Sequence, residues 1–459
     1  MADRNTDDIR ICIPITEMTS TMVRLPVYML EGNNRGLFEP RVISIGPYHR
    51  GHESTLIMEA HKEQVLEGFF QRPGNVSRQE YIADVTANCF QQALRCYSGN
   101  TDGYTAEMLM RDGCFIIELL LRWNKKEDVH DNYVRVMSNS IYYDLLLVDN
   151  QLPFFVLTMI FSKVKGHINE NHTTRLLDLV IDFFNHEGQF SWANLGQYSD
   201  SSNACRVPHL LEDVCQVRHL LDLQYKFVVG RNMGNNDNEP TLSDSCPFSL
   251  CGNIRHTPPS VPLGIPGANE LQDDGVRFHV SKNKLSKMFD VTFKRKTMRI
   301  PHFKINFGSK ILLANLFAYD QILFHRSNQS TDQPGNNVGP VTSYVVLMNA
   351  LINAREDVVV LQREGILDNL LSNEEEVASF FNNLGRCTLV DVSKHRYTSM
   401  FHDVNKYWRN KFNCCRYFAI FSMKHCRNPW TCLSLLGAIL LLLISSTSMI
   451  FAILKFARG

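Results

Sequence analysis

The sequence predicts a mainly α fold: a large helical domain, a minor β part and a C-terminal single-pass transmembrane helix. Three observations predict it. Apolar residues recur at helical spacing through most of the chain, and strand-like runs are few, a short one near residues 41–49 and a group near residues 276–301. The stretch Trp430 to Leu454, WTCLSLLGAILLLLISSTSMIFAIL, carries no charge at all. A helix of that length reaches roughly 37 Å at about 1.5 Å per residue, against a bilayer core of about 30 Å. A buried core helix is the alternative, but core helices rarely run so far without a charge.

The flanks of this stretch set its expected orientation. Lys411, Arg416, Lys424 and Arg427 precede it, whereas only Lys455 and Arg458 follow. The positive-inside rule places the richer side in the cytosol. The N-terminal residues show no apolar run resembling a signal peptide. The expectation is a tail anchor with the large N-terminal domain cytosolic, the plasma membrane being one candidate host. The domain plan is an extension over 1–23, a globular domain over 24–429, the membrane helix over 430–454 and a tail over 455–459.

Composition narrows the partners. Lys+Arg and Asp+Glu are both 47 in 459 residues, so net charge is zero and nothing attracts nucleic acid in bulk. The 13 cysteines contain no CxxC pair, which argues against a zinc site and for reduced thiols. The sequons at Asn75, Asn171 and Asn328 matter only if the topology is inverted.

Taken in order, residues 11–50 are turn-rich, with Pro14, Pro26, Pro40 and Pro47 opposing helix. Arg41 to His49 reads as a short strand ending at a Gly-Pro turn. Thr55 to Phe70 is a helix, and Ser77 to Glu80 has capping-box spacing before the next one. Glu107 to Trp123 is apolar nearly all round and so is buried, despite Asp112 and Glu118. Ser140 to Asn150 repeats that pattern with Asp144 and Asp149. Phe154 to Phe161, Arg175 to Phe184 and Pro208 to Phe227 follow as helices.

Residues 231–267 are rich in Asn, Asp, Ser and Pro and read as a flexible linker or surface loop, either inert or partner-binding. Val276 to Val280 and Phe289 to Phe293 alternate as strands, and Arg299 to Pro301 adds an edge. Helices resume over Ser309 to His325 and Ser343 to Asn353. Ser372 to Glu375 is a second capping box. Tyr397 to Phe421 is an amphipathic helix, and its basic residues Lys406, Arg409 and Arg416 could lie on a membrane or belong to ordinary packing.

The search for chemistry finds no nucleophile elbow, phosphate loop, dinucleotide fingerprint or zincin motif. His49, His52, Glu53, Glu59 and His61 supply metal-ligand types, but Gly51 puts the first histidines on a loop and breaks a shared face. Asp112, Asp144 and Asp149, with Asn150 and Gln151, are polar groups in apolar surroundings. One reading is a general acid–base pair. The favoured one is a structural polar network, with Arg111 or Arg122 as partners, because a buried carboxylate must be bonded. No catalytic, cofactor-binding or metal residue is assigned.

Several stretches together resemble the plant domain-of-unknown-function family 247. They include Val42-Ile-Ser-Ile-Gly-Pro-Tyr-His49, Met58-Glu-Ala-His-Lys62, Arg111 to Glu118, Asp149-Asn-Gln-Leu-Pro-Phe-Phe155, His219-Leu-Leu-Asp222, Gly275-Val-Arg-Phe278, Asn315-Leu-Phe-Ala318 and Asn428-Pro-Trp430. The resemblance implies a plant single-pass membrane protein with no agreed active site. Some members in grasses are linked to self-incompatibility loci, which suggests recognition. The leading expectation is therefore a non-catalytic recognition or signalling protein with a membrane contact over 430–454 and a protein partner. No nucleic acid, cofactor or small-molecule substrate is inferred. The alternatives are a membrane-anchored hydrolase or transferase using the buried carboxylates, and a structural scaffold.

Overall fold

In the computed structural model the described residues are 22–30, 34–72, 76–125, 131–164, 176–186, 217–232, 264–281, 288–330, 338–388, 395–409 and 429–456. The chain opens with β1 (Met22–Val23) and a single helical turn, α1 (Arg35–Phe38). Next come α2 (Leu56–Phe70), α3 (Arg78–Asn88), α4 (Phe90–Arg95) and β2 (Tyr97–Ser98), which pairs in parallel with β1. The expected capping box starts α3: Ser77 Oγ accepts from the Glu80 N–H, and Glu80 returns the bond to the Ser77 N–H. The buried helix is α5 (Ala106–Lys125), and it is the axis of this half: α2, α3, α8 (Phe154–Ser162) and α9 (Leu176–His186) all pack on it. Between α5 and α8 lie α6 (Asn132–Val136) and α7 (Ser138–Asp144). The approach of α8 is close enough that a Cβ at Gly113 would collide with the Ile160 side chain.

Two helices depart from expectation here. The segment expected to be helical to Asn150 stops at Asp144 and continues as turns. The helix expected over Pro208 to Phe227 is α10 (Leu220–Asn232), with residues 208–216 outside the described ones. Its start is set by a reciprocal cap. The Asp222 carboxylate accepts from the Arg218 N–H at 2.8 Å, and His219 Nδ1 accepts from the Asp222 N–H at 3.2 Å. The Asn/Pro-rich stretch begins later than read, because α10 runs to Asn232; residues 233–263 are outside the described ones.

The second half opens with α11 (Ala268–Asp273) and the strands β3 (Arg277–Val280), β4 (Thr292–Lys294) and β5 (Thr297–Ile300). Their order is β3-β5-β4, so the Arg299 region is the central strand and not an edge. Pro301 led to the edge reading, yet it falls just past Ile300 and removes no ladder donor. Met298 faces Phe278 across the parallel pair and Phe293 across the antiparallel one. The β4–β5 turn holds only Arg295 and Lys296, with φ of 48° and 66°. Two positive φ angles match a type I′ turn, for which Asn-Gly is the favoured pair.

The remaining elements are β6 (Phe303–Ile305), α12 (Phe307–Ser330), α13 (Pro340–Leu351), α14 (Arg355–Arg363), β7 (Leu367–Asn369), α15 (Glu374–Arg386) and α16 (Thr398–Arg409). The parallel pair β6–β7 and the helix α14 have no counterpart in the sequence reading. The cap of α15 lies one residue beyond the expected box: Asn373 Oδ1 accepts from the Glu376 N–H at 2.7 Å. Of the helix expected over Tyr397 to Phe421, residues 397–409 are described, and Thr398–Arg409 are helical. One continuous apolar core joins both halves, from Leu25 to Val404.

The stretch expected as an anchor forms α17 (Pro429–Phe456), 28 residues long. Its described side chains run continuously only over 437–450. Among the described residues no helix is long and apolar enough to cross a membrane, so the expected transmembrane helix is not supported here.

Candidate functional site

The segment Arg41 to His49 joins no sheet: it bends at Arg41–Val42 and at Gly46–Pro47, and Tyr48 and His49 lie in a turn. Its backbone donors are taken by side chains instead. Asp144, at the end of α7, accepts from three successive N–H groups: Arg41 at 3.1 Å, Val42 at 2.8 Å and Ile43 at 2.9 Å. Asn150 Oδ1 accepts from the Ile45 N–H at 2.7 Å, while its Nδ2 donates to the Ile43 and Asp144 carbonyls. Asp112 Oδ2 accepts from the Gly46 N–H at 3.0 Å. A strand ladder cannot form where these donors are already bonded, which is why the alternation of Val42, Ser44 and neighbours misleads. Gly46 is required at the end of the run: its φ is +75°, and an added Cβ would sit 2.9 Å from the Gln151 carbonyl oxygen.

Beneath this segment lies a charged floor. Lys62 of α2, 1% exposed, donates to Asp112 Oδ1 at 2.7 Å, Glu59 Oε1 at 2.7 Å and the Ser44 carbonyl at 2.5 Å. Those three partners use all three ammonium hydrogens. Tyr104 OH completes Asp112 by donating to Oδ2 at 3.0 Å. Lys62 is therefore the partner of Asp112, in place of the Arg111 or Arg122 expected from sequence. Arg111 pairs with Glu59 and Glu63, and Arg122 pairs with the buried Glu118, which also accepts from Arg72 at 2.6 and 2.9 Å.

Asp149 and Gln151 close the ring. Asp149 Oδ1 lies 2.7 Å from His49 Nε2. Gln151 Nε2 donates to the Leu145 and Leu147 carbonyls at 2.8 and 2.7 Å, and its Oε1 accepts from the Leu221 N–H of α10 at 3.1 Å. All five residues expected to form a polar network are buried: Asp112, Asp144, Asp149 and Asn150 bond residues 41–49, whereas the Gln151 side chain bonds Leu145, Leu147 and Leu221. The histidines do not converge. His49 bonds Asp149, His52 bonds Ser54, and His61 bonds Asp131 at 2.6 Å while stacking on Tyr133. Among the described residues no group of His, Cys, Asp or Glu is arranged to hold a metal ion.

A second buried polar cluster escaped the sequence reading. Asp320 of α12 accepts from Tyr225 OH at 2.5 Å and from the Thr342 N–H and hydroxyl at 2.8 and 2.6 Å. Asp222 accepts from Tyr319 OH at 2.8 Å and pairs with Lys226 at 2.9 Å. The available signal was a charged residue on an otherwise apolar helix face, at Asp320 as at Lys62.

Burial dominates the electrostatics. It pushes the Asp144 carboxyl up to about 6, with the three N–H donors and Arg41 pulling the other way. It raises Asp320 against the opposing pull of its Thr342 and Tyr225 bonds. It lowers His219 to about 4, since a wholly buried imidazole is held neutral. Asp144 and Asp320 are locked to neighbours within the fold, whereas His219 bonds through Nδ1 and its buried Nε2 has no hydrogen-bond partner among the described residues.

Four of the stretches that carry the sequence likeness meet here: 42–49, 58–62, 111–118 and 149–155. A family model described as a plant protein of unknown function, domain of unknown function 247, matches residues 22–444. The chain belongs to this family. An Arabidopsis thaliana UPF0481 protein is 25% identical over 438 residues, covering 93% of this chain and 85% of that one. A second Arabidopsis thaliana UPF0481 protein is 22% identical over 520 residues, covering 97% and 93%. No solved structure matches.

Proposed function

We propose that this plant family member is a non-catalytic recognition protein held at a membrane by its C-terminal apolar helix. The observation that carries the reading is the internal use of the acid–base groups. Asp112, Asp144 and Asn150 are consumed in bonding the 41–46 backbone, and Lys62 is consumed in holding Asp112 and Ser44. A general acid or base needs an exchangeable proton aimed at substrate, and these groups aim theirs at the fold. The anchor is supported by α17, where Leu433, Ile439 to Ile444, Met449 and Ile450 stand exposed. Such a run of large apolar side chains is strongly disfavoured in water and favoured in lipid. Lys411, Arg416, Lys424 and Arg427 support a cytosolic position for the preceding domain. Self-recognition of the kind linked to some grass relatives is the form of signalling this reading accommodates.

Carbonate extraction tests it. The full chain is expected to stay in the membrane pellet, and a chain lacking residues 430–459 to move to the supernatant. A truncated chain that remains in the pellet rejects the anchor, and glycan on Asn75 or Asn171 rejects the cytosolic side. A hydrolase reading draws on one observation, the His49–Asp149 pair, whose imidazole is 12% exposed. Loss of a hydrolytic activity in His49→Gln with an unchanged melting temperature would favour it.

A further inference from the structure

The β4–β5 turn and the end of α16 make a basic surface with no role in the polar network. Arg295 and Lys296 occupy left-handed backbone that Asn-Gly adopts at far less cost. Turn stability therefore does not select these two residues, and a conformational cost persists where another demand maintains it. The tip is fixed against α16. The Lys296 ammonium lies 5.9 Å from the Tyr407 ring centroid, and the Phe293 and Tyr407 rings are 6.4 Å apart. Tyr407 OH donates to the Asp274 carbonyl at 2.9 Å, and the Arg277 N–H to the Lys296 carbonyl at 2.8 Å.

Around that junction Arg277, Lys294, Arg295, Lys406 and Arg409 are exposed, with Lys296 half-buried. The carboxylates on the same elements or their flanks are Asp273, Asp274, Asp290 and Asp403, leaving cations in excess. Position along the chain supplies the second argument. Arg409 ends α16 and Pro429 starts α17. The residues between them reach at most roughly 65 Å even when fully extended. An anchored α17 therefore keeps this surface near a bilayer.

We propose that the Arg295–Lys296 turn, with Lys294, Lys406 and Arg409, docks on anionic lipid headgroups beside the membrane entry of α17. The proposal rests on the anchor reading above. Arginine and lysine at a rigid tip suit phosphate and carboxylate headgroups, and juxtamembrane cations are attracted to anionic leaflets. Docking would hold the domain in one orientation on the membrane instead of letting it swing on its tether.

The test places the full chain in vesicles of phosphatidylcholine alone, or of phosphatidylcholine and phosphatidylserine in equal parts. Amide hydrogen exchange over residues 292–297 is expected to slow roughly fivefold or more in the anionic vesicles only, and high salt to reverse it. Arg295→Asn with Lys296→Gly should abolish that difference while keeping the melting temperature, because Asn-Gly suits the turn. Lys406→Gln with Arg409→Gln should weaken it independently. Equal exchange in the two vesicle types, or an undiminished difference in the Asn-Gly variant, overturns the proposal. Equal protection by soluble polyglutamate overturns it in favour of an acidic polypeptide. Protein released by carbonate yet still protected on anionic vesicles supports lipid docking and rejects only the anchor.

Discussion

The Lys62 ammonium reaches three oxygens from inside the protein, and its removal would leave Asp112 buried without a counter-charge. Breaking one side of a buried pair costs about 3–5 kcal/mol, mostly the desolvation of the stranded partner. Lys62→Met is expected to lose that much in denaturant unfolding, and Lys62→Met with Asp112→Leu to lose less than the two single variants summed. Additive losses would show that the pair is not coupled. Asp144 makes a different statement. Its carboxyl is raised to about 6 from 3.8, so the neutral form fits the fold better. A raised acid contributes stability that is full below about 3.9 and is lost as pH rises through about 6. The difference between 3.8 and about 6 corresponds to ~3 kcal/mol at most. Both carboxyl oxygens face backbone donors, Oδ1 the Arg41 N–H and Oδ2 the Arg41, Val42 and Ile43 N–H groups. Asp144→Asn should flatten stability between pH 4 and 7 relative to the parent, as read from unfolding curves at several pH values. His219 acts in the opposite direction. Lowered to about 4, it contributes stability that is full above about 6.5 and is lost as pH falls through about 4. The carboxylates were legible in sequence as charges among apolar residues. Lys62 was equally legible, since Met58, Lys62, Val65, Leu66 and Phe69 are the buried positions of α2. The habit of reading lysine as solvated concealed it.

At the scale of elements, helices were read well where periodicity and caps agree. The α3 box, the buried α5 and the Phe154 start of α8 stand as expected. Errors arose where a tertiary partner decided the outcome. The 41–46 backbone is bonded to side chains, α10 starts at a His–Asp cap, and β5 is central because the parallel strand β3 joins the local β4–β5 hairpin from earlier in the chain. The short strands β6 and β7 lie about 60 residues apart, so no local pattern announces their pairing. The α5–α8 crossing offers a direct test. Gly113→Ala puts a methyl against the Ile160 side chain and is expected to cost about 1–3 kcal/mol. Adding Ile160→Val removes the colliding carbon and should recover part of that loss in thermal unfolding. No recovery would place the strain elsewhere.

For the molecule as a whole, one core crosses from the first half to the second, and Asn315 fastens the junction. Its Nδ2 donates to the Leu37 carbonyl at 2.8 Å, and its Oδ1 accepts from the Val148 N–H at 2.9 Å. The two halves are therefore expected to unfold as one unit, giving a single calorimetric transition. Asn315→Leu would strand both backbone groups, costing about 1–3 kcal/mol for each, and should lower the melting temperature without splitting that transition. Two resolved transitions in the parent chain would show that the halves are separate folding units.

The side-chain bonding of residues 41–46 also imposes a timetable on the ribosome. Arg41 to Ile43 wait for Asp144, which follows them by 101 to 103 residues, and Leu37 waits for Asn315, 278 residues later. At about 5–20 residues per second, the first gap alone corresponds to roughly 5–20 s of synthesis. During that interval the N–H groups of Arg41 to Ile43 have no native partner and remain open to chaperones. Nascent chains arrested before residue 144 should leave residues 41–46 protease-sensitive, and chains arrested after α8 has emerged should protect them.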